Sequence, residues 1–206
     1  MFQPMSADSR PARWVFLLAQ LPSSPSSARV ALWRRLRSGG AARLLNGAWA
    51  LPYSAANERF FEDLRQTVSG QGGKGVVLAV SDSSPGTDAM IVDQFRADRA
   101  REYDEFDERC DAFLAELAKE TRAAKFTFAE LEEGEEDLAK LRHWLAKIAA
   151  RDFFPGDRLT RARELAGLCE HALRDFSRAV YKESGAEEWR APVDSPIVPS
   201  DRGSKA

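Results

Sequence analysis

Residues 14–52 read WVFLLAQLPSSPSSARVALWRRLRSGGAARLLNGAWALP and follow the order strand, helix, strand, strand. The apolar run over 14–21 predicts a strand that is covered on at least one face. A serine N-cap, a proline at the first helical position and two closing glycines predict a helix over 25–38. Residues 42–52 predict two short strands around an Asn-Gly turn, because both turn residues tolerate positive φ angles.

The next stretch completes the pattern of a known fold. Ser54 predicts the cap of a second helix that ends near Val68, and residues 75–80 predict a further strand. The order strand, helix, strand, strand, helix, strand is the split βαβ, or ferredoxin-like, arrangement. In it, four strands form one antiparallel sheet with both helices on one face. We therefore predict an α+β protein that begins with a ferredoxin-like βαββαβ sheet domain.

The rest of the chain predicts a long-helix bundle. Beyond residue 86, apolar residues recur in steps of 3 and 4, which is typical of helices that pack side by side in a bundle or across a dimer. Thr127 and Glu130 form a capping box, which predicts the start of the second long helix. The three predicted seams are Tyr103, Phe106, Cys110, Phe113 and Leu117; Leu138, Leu141, Leu145 and Ile148; and Ala162, Leu165, Cys169, Ala172, Phe176 and Ala179.

These patterns divide the chain into four parts. Residues 1–12 are polar and contain proline, and predict a disordered arm. The ferredoxin-like domain covers 13–82, and the helical bundle domain covers 87–184. A Pro- and Ser-rich tail over 185–206 is predicted to be mostly disordered.

The composition indicates a cytoplasmic globular protein. The 206 residues are 44% hydrophobic and 30% charged, which is ordinary for globular chains. No stretch approaches the roughly 20 apolar residues of a membrane span, and the N-terminus lacks the apolar run of a signal peptide. Cys110 and Cys169 form no CxxC pair, so they predict buried thiols rather than a disulfide or a zinc site.

The sequence contains no catalytic signature. His143 and His171 lie off the apolar seams and predict solvent-facing side chains, without a Gly-x-Ser-x-Gly elbow nearby. The acidic run 132–137 lacks the alternating oxygen ligands of a calcium loop and predicts a solvated helix face. There is also no phosphate-binding glycine motif. We therefore expect no enzyme, no catalytic residue, no metal and no cofactor.

Charge is divided unevenly along the chain. Residues 1–81 contain ten Lys and Arg against four Asp and Glu, a balance of +6, so the remainder carries -8 of the total of -2. A basic half of this kind is typical of a surface that binds a polyanion. We predict a DNA-contacting surface formed by Arg29, Arg34, Arg35, Arg37 and Arg43.

Arg29 differs from the other arginines of its helix. A helical wheel places Arg34 and Arg37 on the flank that faces away from the core, free to meet an anion. The same wheel places Arg29 between Leu36 and Trp33 on the apolar side, where an unpaired guanidinium is costly. Either a salt bridge or a snorkelling side chain satisfies it, or Arg29 forms an anion-binding site for an oxyanion or phosphate.

Two segments resemble a known family. Residues 14–52 resemble the N-terminal domain of the chromate resistance protein ChrB. FTFAELEEGEEDLAKLRHWLAKIAARDFF, residues 126–154, resembles the helical segment that follows in the same proteins, and the resemblance covers about residues 13–183. The first segment is also similar, more weakly, to the ferredoxin-like part of PaaX-type repressors.

The resemblance implies a cytosolic regulator of a chromate efflux operon, which binds DNA and responds to chromate. The long C-terminal domain of complete ChrB proteins is not in this sequence, so we do not expect chromate to be sensed in the same way. The leading hypothesis is a DNA-associated transcriptional regulator. The alternatives are a protein-interaction module that forms a homodimer through its helical half, or a small-oxyanion sensor built around Arg29 without DNA contact. The operator, the effector and the oligomeric state stay open.

Overall fold

The computed structural model describes residues 13–24 and 26–185. The predicted arm over 1–12, and all but the first residue of the predicted tail over 185–206, lie outside these residues. The described part is an α+β protein, as predicted. Its elements are β1 (Trp14–Gln20), α1 (Ser26–Ser38), β2 (Ala42–Leu45), β3 (Ala48–Pro52), α2 (Ala55–Gly70), β4 (Lys74–Val80), α3 (Pro85–Arg122), α4 (Phe128–Ala150) and α5 (Asp157–Ser184).

The four strands form one antiparallel sheet in the order β2-β3-β1-β4. This is the strand order of the split βαβ arrangement, so the ferredoxin-like prediction is confirmed for the sheet. The Asn-Gly turn between β2 and β3 is also present, with φ of 80° at Gly47. A Cβ atom at Gly47 would lie 2.5 Å from the carbonyl oxygen of Ala19, so this close approach requires glycine.

Helices α1 and α2 cover the same face of the sheet. Val15 and Leu17 on that face are fully buried, and α2 supplies Phe61 and Leu64 to the same core. The Ser54 hydroxyl accepts a hydrogen bond from the backbone N–H of Asn57, which confirms the predicted cap of α2. In α1, by contrast, Leu36 is the single fully buried residue.

The opposite face of the sheet is covered at one end by the start of α3. Ser84 caps this helix and Pro85 begins it, and the helix continues without a break for 38 residues. Trp14 of β1 donates a hydrogen bond from its indole nitrogen to Asp88, with a distance of 2.6 Å. The proposed division between residues 82 and 87 stays a prediction, but the sheet core extends past it to Ile91, Phe95, Phe153 and Phe154.

Helices α3, α4 and α5 pack against one another in a bundle. Most predicted seam residues, among them Phe106, Ile148 and Cys169, are buried inside the single chain. The seams are therefore covered without a second copy, and dimerisation through them stays a prediction. The Thr127 hydroxyl accepts from the N–H of Glu130 and confirms the predicted start of α4. No helix in the described ranges combines the length and the apolarity that a membrane span needs.

The two cysteines are buried thiols, as predicted. Cys110 and Cys169 are both free and fully buried in the bundle core. Burial raises the pKa of Cys110 to about 12, and it raises the pKa of Cys169 as well. Because the thiolate is the reactive form, both side chains act as small apolar groups that fill the bundle.

Candidate functional site

The five predicted arginines point to different parts of the surface. Arg29 and Arg43 line one pocket between α1 and the sheet. Arg35 contacts α2, and Arg37 contacts α3. Arg34 lies on the side of α1 that faces away from the core. The structure therefore brings two of the five arginines together and separates the other three.

The pocket that Arg29 lines, which we call the α1 pocket, has a volume of about 350 Å³. The Nη1 group of Arg29 donates to the carbonyl oxygen of Pro22 at 2.8 Å and also to that of Ser23. Arg29 is exposed and satisfied by these loop carbonyls. Of the alternatives open for Arg29, the structure shows no salt bridge within the described residues, because the carbonyl groups of the β1–α1 loop supply the acceptors. Anion binding by Arg29 stays a prediction.

Arg43 reaches the same pocket from β2. Its Nη2 group donates to the side-chain oxygen of Asn46 in the β2–β3 turn. The residues that line the α1 pocket include two arginines, two tryptophans and no acidic residue. Each guanidinium has five N–H donors, so donors remain for a ligand after these contacts. The pocket thus has the charge and the donors that an oxyanion needs.

The remaining arginines of α1 differ in their contacts. Arg35 donates to the Thr67 hydroxyl of α2 at 3.2 Å. Arg37 was predicted to be free, but its Nη2 lies 3.6 Å from Glu102, and its guanidinium lies 5.6 Å from the centre of the Trp33 ring. Within the described part of the chain, Arg34 makes neither a hydrogen bond nor an ion pair and is exposed. Arg34 is therefore the arginine of α1 whose whole guanidinium is available to an anion.

Sequence reasoning missed a charged group that joins α1 to the bundle. In this group, which we call the Glu102 cluster, the Glu102 carboxylate meets Arg99 at 3.1 Å, Arg151 at 2.7 Å and Arg37 at 3.6 Å. Arg99 is 3% exposed, and this burial lowers its pKa, while the neighbouring Glu102 opposes the shift. The four residues come from α1, α3 and the end of α4, so one carboxylate holds three helices.

A second concave surface lies between α3 and α4. This acidic groove has a volume of about 730 Å³ and a rim that carries Arg109 and Lys140 as its cations. Its floor is apolar and includes Phe113, Leu117 and Trp144. The acidic run that was predicted to be solvated contributes to this rim. The carboxylates of the rim are Glu105, Glu108, Glu116, Glu120, Glu130, Glu133 and Asp137.

Comparisons with known proteins identify the family of the chain. Residues 29–187 match the family described as Protein ChrB, N-terminal. Protein ChrB of Cupriavidus metallidurans is 30% identical over 171 residues, which cover 81% of this chain and 46% of that relative. The chain therefore spans less than half of the relative's length. Because the family match includes most of α1 and the whole bundle, the resemblance is confirmed and the chain belongs to the ChrB family.

Proposed function

We propose that this chain is a regulatory protein of chromate resistance that contacts DNA through α1 and the β2–β3 hairpin. One observation carries the proposal: α1 contains four arginines and no acidic residue, and its Arg34 is exposed and unpaired in the described part of the chain. Membership of the ChrB family supports the link to chromate resistance. The regulatory role and the DNA partner are what the family resemblance implies.

The distribution of charge also favours contact with DNA through the sheet end of the protein. The first 81 residues carry +6 and the remainder carries -8, so the phosphate backbone attracts the sheet end and repels the bundle. The side chains of Arg29 and Arg43 are already held by hydrogen bonds to the β1–α1 loop and the β2–β3 turn. They therefore lose little conformational entropy when their remaining N–H groups bind a phosphate. Arg34 supplies a further charge from the centre of α1.

We expect Arg34→Ala to weaken binding to DNA of every sequence and to lower the slope of log K against log salt by about 1. The reason is that one phosphate contact, and the counterions that it releases, are lost. Fluorescence anisotropy with the chain's own upstream DNA and with a scrambled duplex, across a salt series and with or without chromate, measures this. Arg178→Ala is the matched control, because Arg178 is an exposed helix arginine of the acidic bundle.

The anisotropy measurement separates the DNA contact from the response to chromate. Tighter binding to the upstream duplex, weakened by both salt and chromate, supports a chromate-responsive regulator. Absent or salt-insensitive binding contradicts the DNA contact. DNA affinity that chromate leaves unchanged contradicts the response to chromate. An equal loss of DNA affinity in Arg178→Ala would contradict a specific contact through α1.

The α1 pocket favours a second candidate function, a small-oxyanion sensor. Its lining holds Arg29 and Arg43 without an acidic residue. Chromate and sulfate are then expected to raise the melting temperature of the chain, because a ligand that binds only the folded state stabilises it. Arg29→Ala is expected to abolish this shift with the fold intact by circular dichroism, whereas Arg178→Ala retains it. An undiminished shift in Arg29→Ala would exclude the pocket as the site.

A further inference from the structure

The acidic groove combines an apolar floor with uncompensated negative charge. Glu105, Glu108 and Glu133 on its rim are exposed, and none of them forms an ion pair with another residue in the ranges 13–24 and 26–185. Phe113 and Trp144 on the floor are partly buried. A matching partner therefore presents apolar side chains beside cations on one helix face, as in other helix-in-groove contacts.

The chain itself carries such a surface on α1. Val30 is 44% exposed and Trp33 is 46% exposed, so two apolar side chains lie next to each other on the surface of α1. Arg34 lies beside them, and positions i, i+3 and i+4 share one helix face. We call Val30, Trp33 and Arg34 the outer face of α1; Val30 and Trp33 also line the open side of the α1 pocket. Its apolar and cationic groups complement the floor and the rim of the acidic groove.

The two surfaces adjoin each other within one chain. Arg37, near the end of α1, lies 3.6 Å from Glu102 of α3. Glu105 is one turn further along α3 and already belongs to the groove rim. Residues at i and i+3 share a face of a helix, so the end of α1 and the entrance of the groove lie on the same side of α3. A two-fold axis beside them would place each α1 opposite the other copy's groove.

We propose that two copies of this chain form a two-fold dimer, in which the outer face of α1 of each copy docks into the acidic groove of the other. The two contacts are equivalent by symmetry, so the dimer buries twice the area of one contact. A stable interface buries roughly 800 Å² per partner. The proposal goes beyond the proposed function. It also makes the dimer and the DNA complex exclude each other, because both use the outer face of α1.

Charge reversal tests the dimer in the absence of DNA. Sedimentation velocity of the full chain is expected to show a concentration-dependent dimer that dissociates as salt rises. The groove variant, Glu108→Lys with Glu133→Lys, and the helix variant, Arg34→Glu, are each expected to weaken the dimer at least about 10-fold, because like charges then face each other. Both variants change exposed, unpaired side chains, and thermal melts confirm that each one folds.

Mixing the two variants gives the most specific result. In an equimolar mixture the introduced lysines of one chain face the introduced glutamate of the other, while the second contact is native. A heterodimer is therefore expected to form from two variants that are monomeric alone. The matched control is Glu164→Lys with Glu183→Lys on α5, which makes the same change in net charge at exposed positions outside the groove. The control is expected to dimerise as the native chain does.

Four outcomes would overturn the proposal. They are a native chain that is monomeric at every soluble concentration, reversal variants that dimerise normally, a mixture that stays monomeric, and a control that loses the dimer equally. A monomeric native chain whose groove binds a synthetic Leu- and Lys-rich helical peptide would assign the groove to a different partner. Because the measurement contains no DNA, each of these outcomes leaves the DNA proposal standing.

Discussion

Replacement of Phe95 by alanine is expected to lower the free energy of unfolding by about 3–5 kcal/mol. The Phe95 side chain is 2% exposed, and its ring stacks on Trp14 with 6.1 Å between centroids. Phe153 and Phe154 approach the same ring at 5.8 Å and 5.3 Å. The alanine substitution therefore removes the ring that β1 and the α4–α5 turn both contact. It leaves a cavity that these elements and α3 cannot fill by moving together.

Urea denaturation followed by circular dichroism measures the loss. Met90→Ala is the matched control, because Met90 lies in the same helix and is 55% exposed. Its expected effect is within about 0.5 kcal/mol. Equal losses in the two variants would show that the start of α3 does not pack against the sheet in solution.

The second large effect is expected for Glu102→Gln, at about 3 kcal/mol of unfolding free energy. The carboxylate of Glu102 is 12% exposed, accepts hydrogen bonds from Arg99 and Arg151, and lies 3.6 Å from Arg37. The amide keeps the shape of the side chain but removes the charge. Three guanidinium groups are then left close together, and Arg99 is too deeply buried for water to replace the lost partner.

The control for this substitution is Glu105→Gln, one turn later on α3. Glu105 is exposed and has no ion pair within the described residues, so its expected effect is within about 0.5 kcal/mol. The loss in Glu102→Gln is also expected to persist at high salt, because buried pairs are screened weakly. Unchanged stability would contradict a stabilising role for the charge of Glu102.

The elements that depend on local signals were predictable within one or two residues. A cap such as Ser54 or an Asn-Gly turn acts over three or four residues, so the sequence contains all of the information. The role of α3 was not predictable in this way. The predicted domains leave residues 83–86 between them, and in the structure Ser84 and Pro85 are the cap and first residue of a helix that packs in both parts. Which surface Phe95 meets depends on the path of the whole helix.

The same distinction applies to the charged residues. The helical wheel placed Arg34 opposite the core, and the structure agrees, because one helix determines that relation. The acceptors of Arg29 are carbonyl groups of a loop, whose path no periodicity reveals. The Glu102 cluster joins positions from three helices, and only the i, i+3 spacing of Arg99 and Glu102 was visible in the sequence.

The unbroken course of α3 has a mechanical consequence. At 1.5 Å per residue, its 38 residues form a rod of about 57 Å that is clamped at one end by the sheet and embedded at the other in the bundle. If a helix of this length tilts by about 5° about its bundle end, its sheet end moves by about 5 Å. Because Arg37 contacts α3 at Glu102, near the middle of the helix, a tilt of α3 imposed at its bundle end would also move α1.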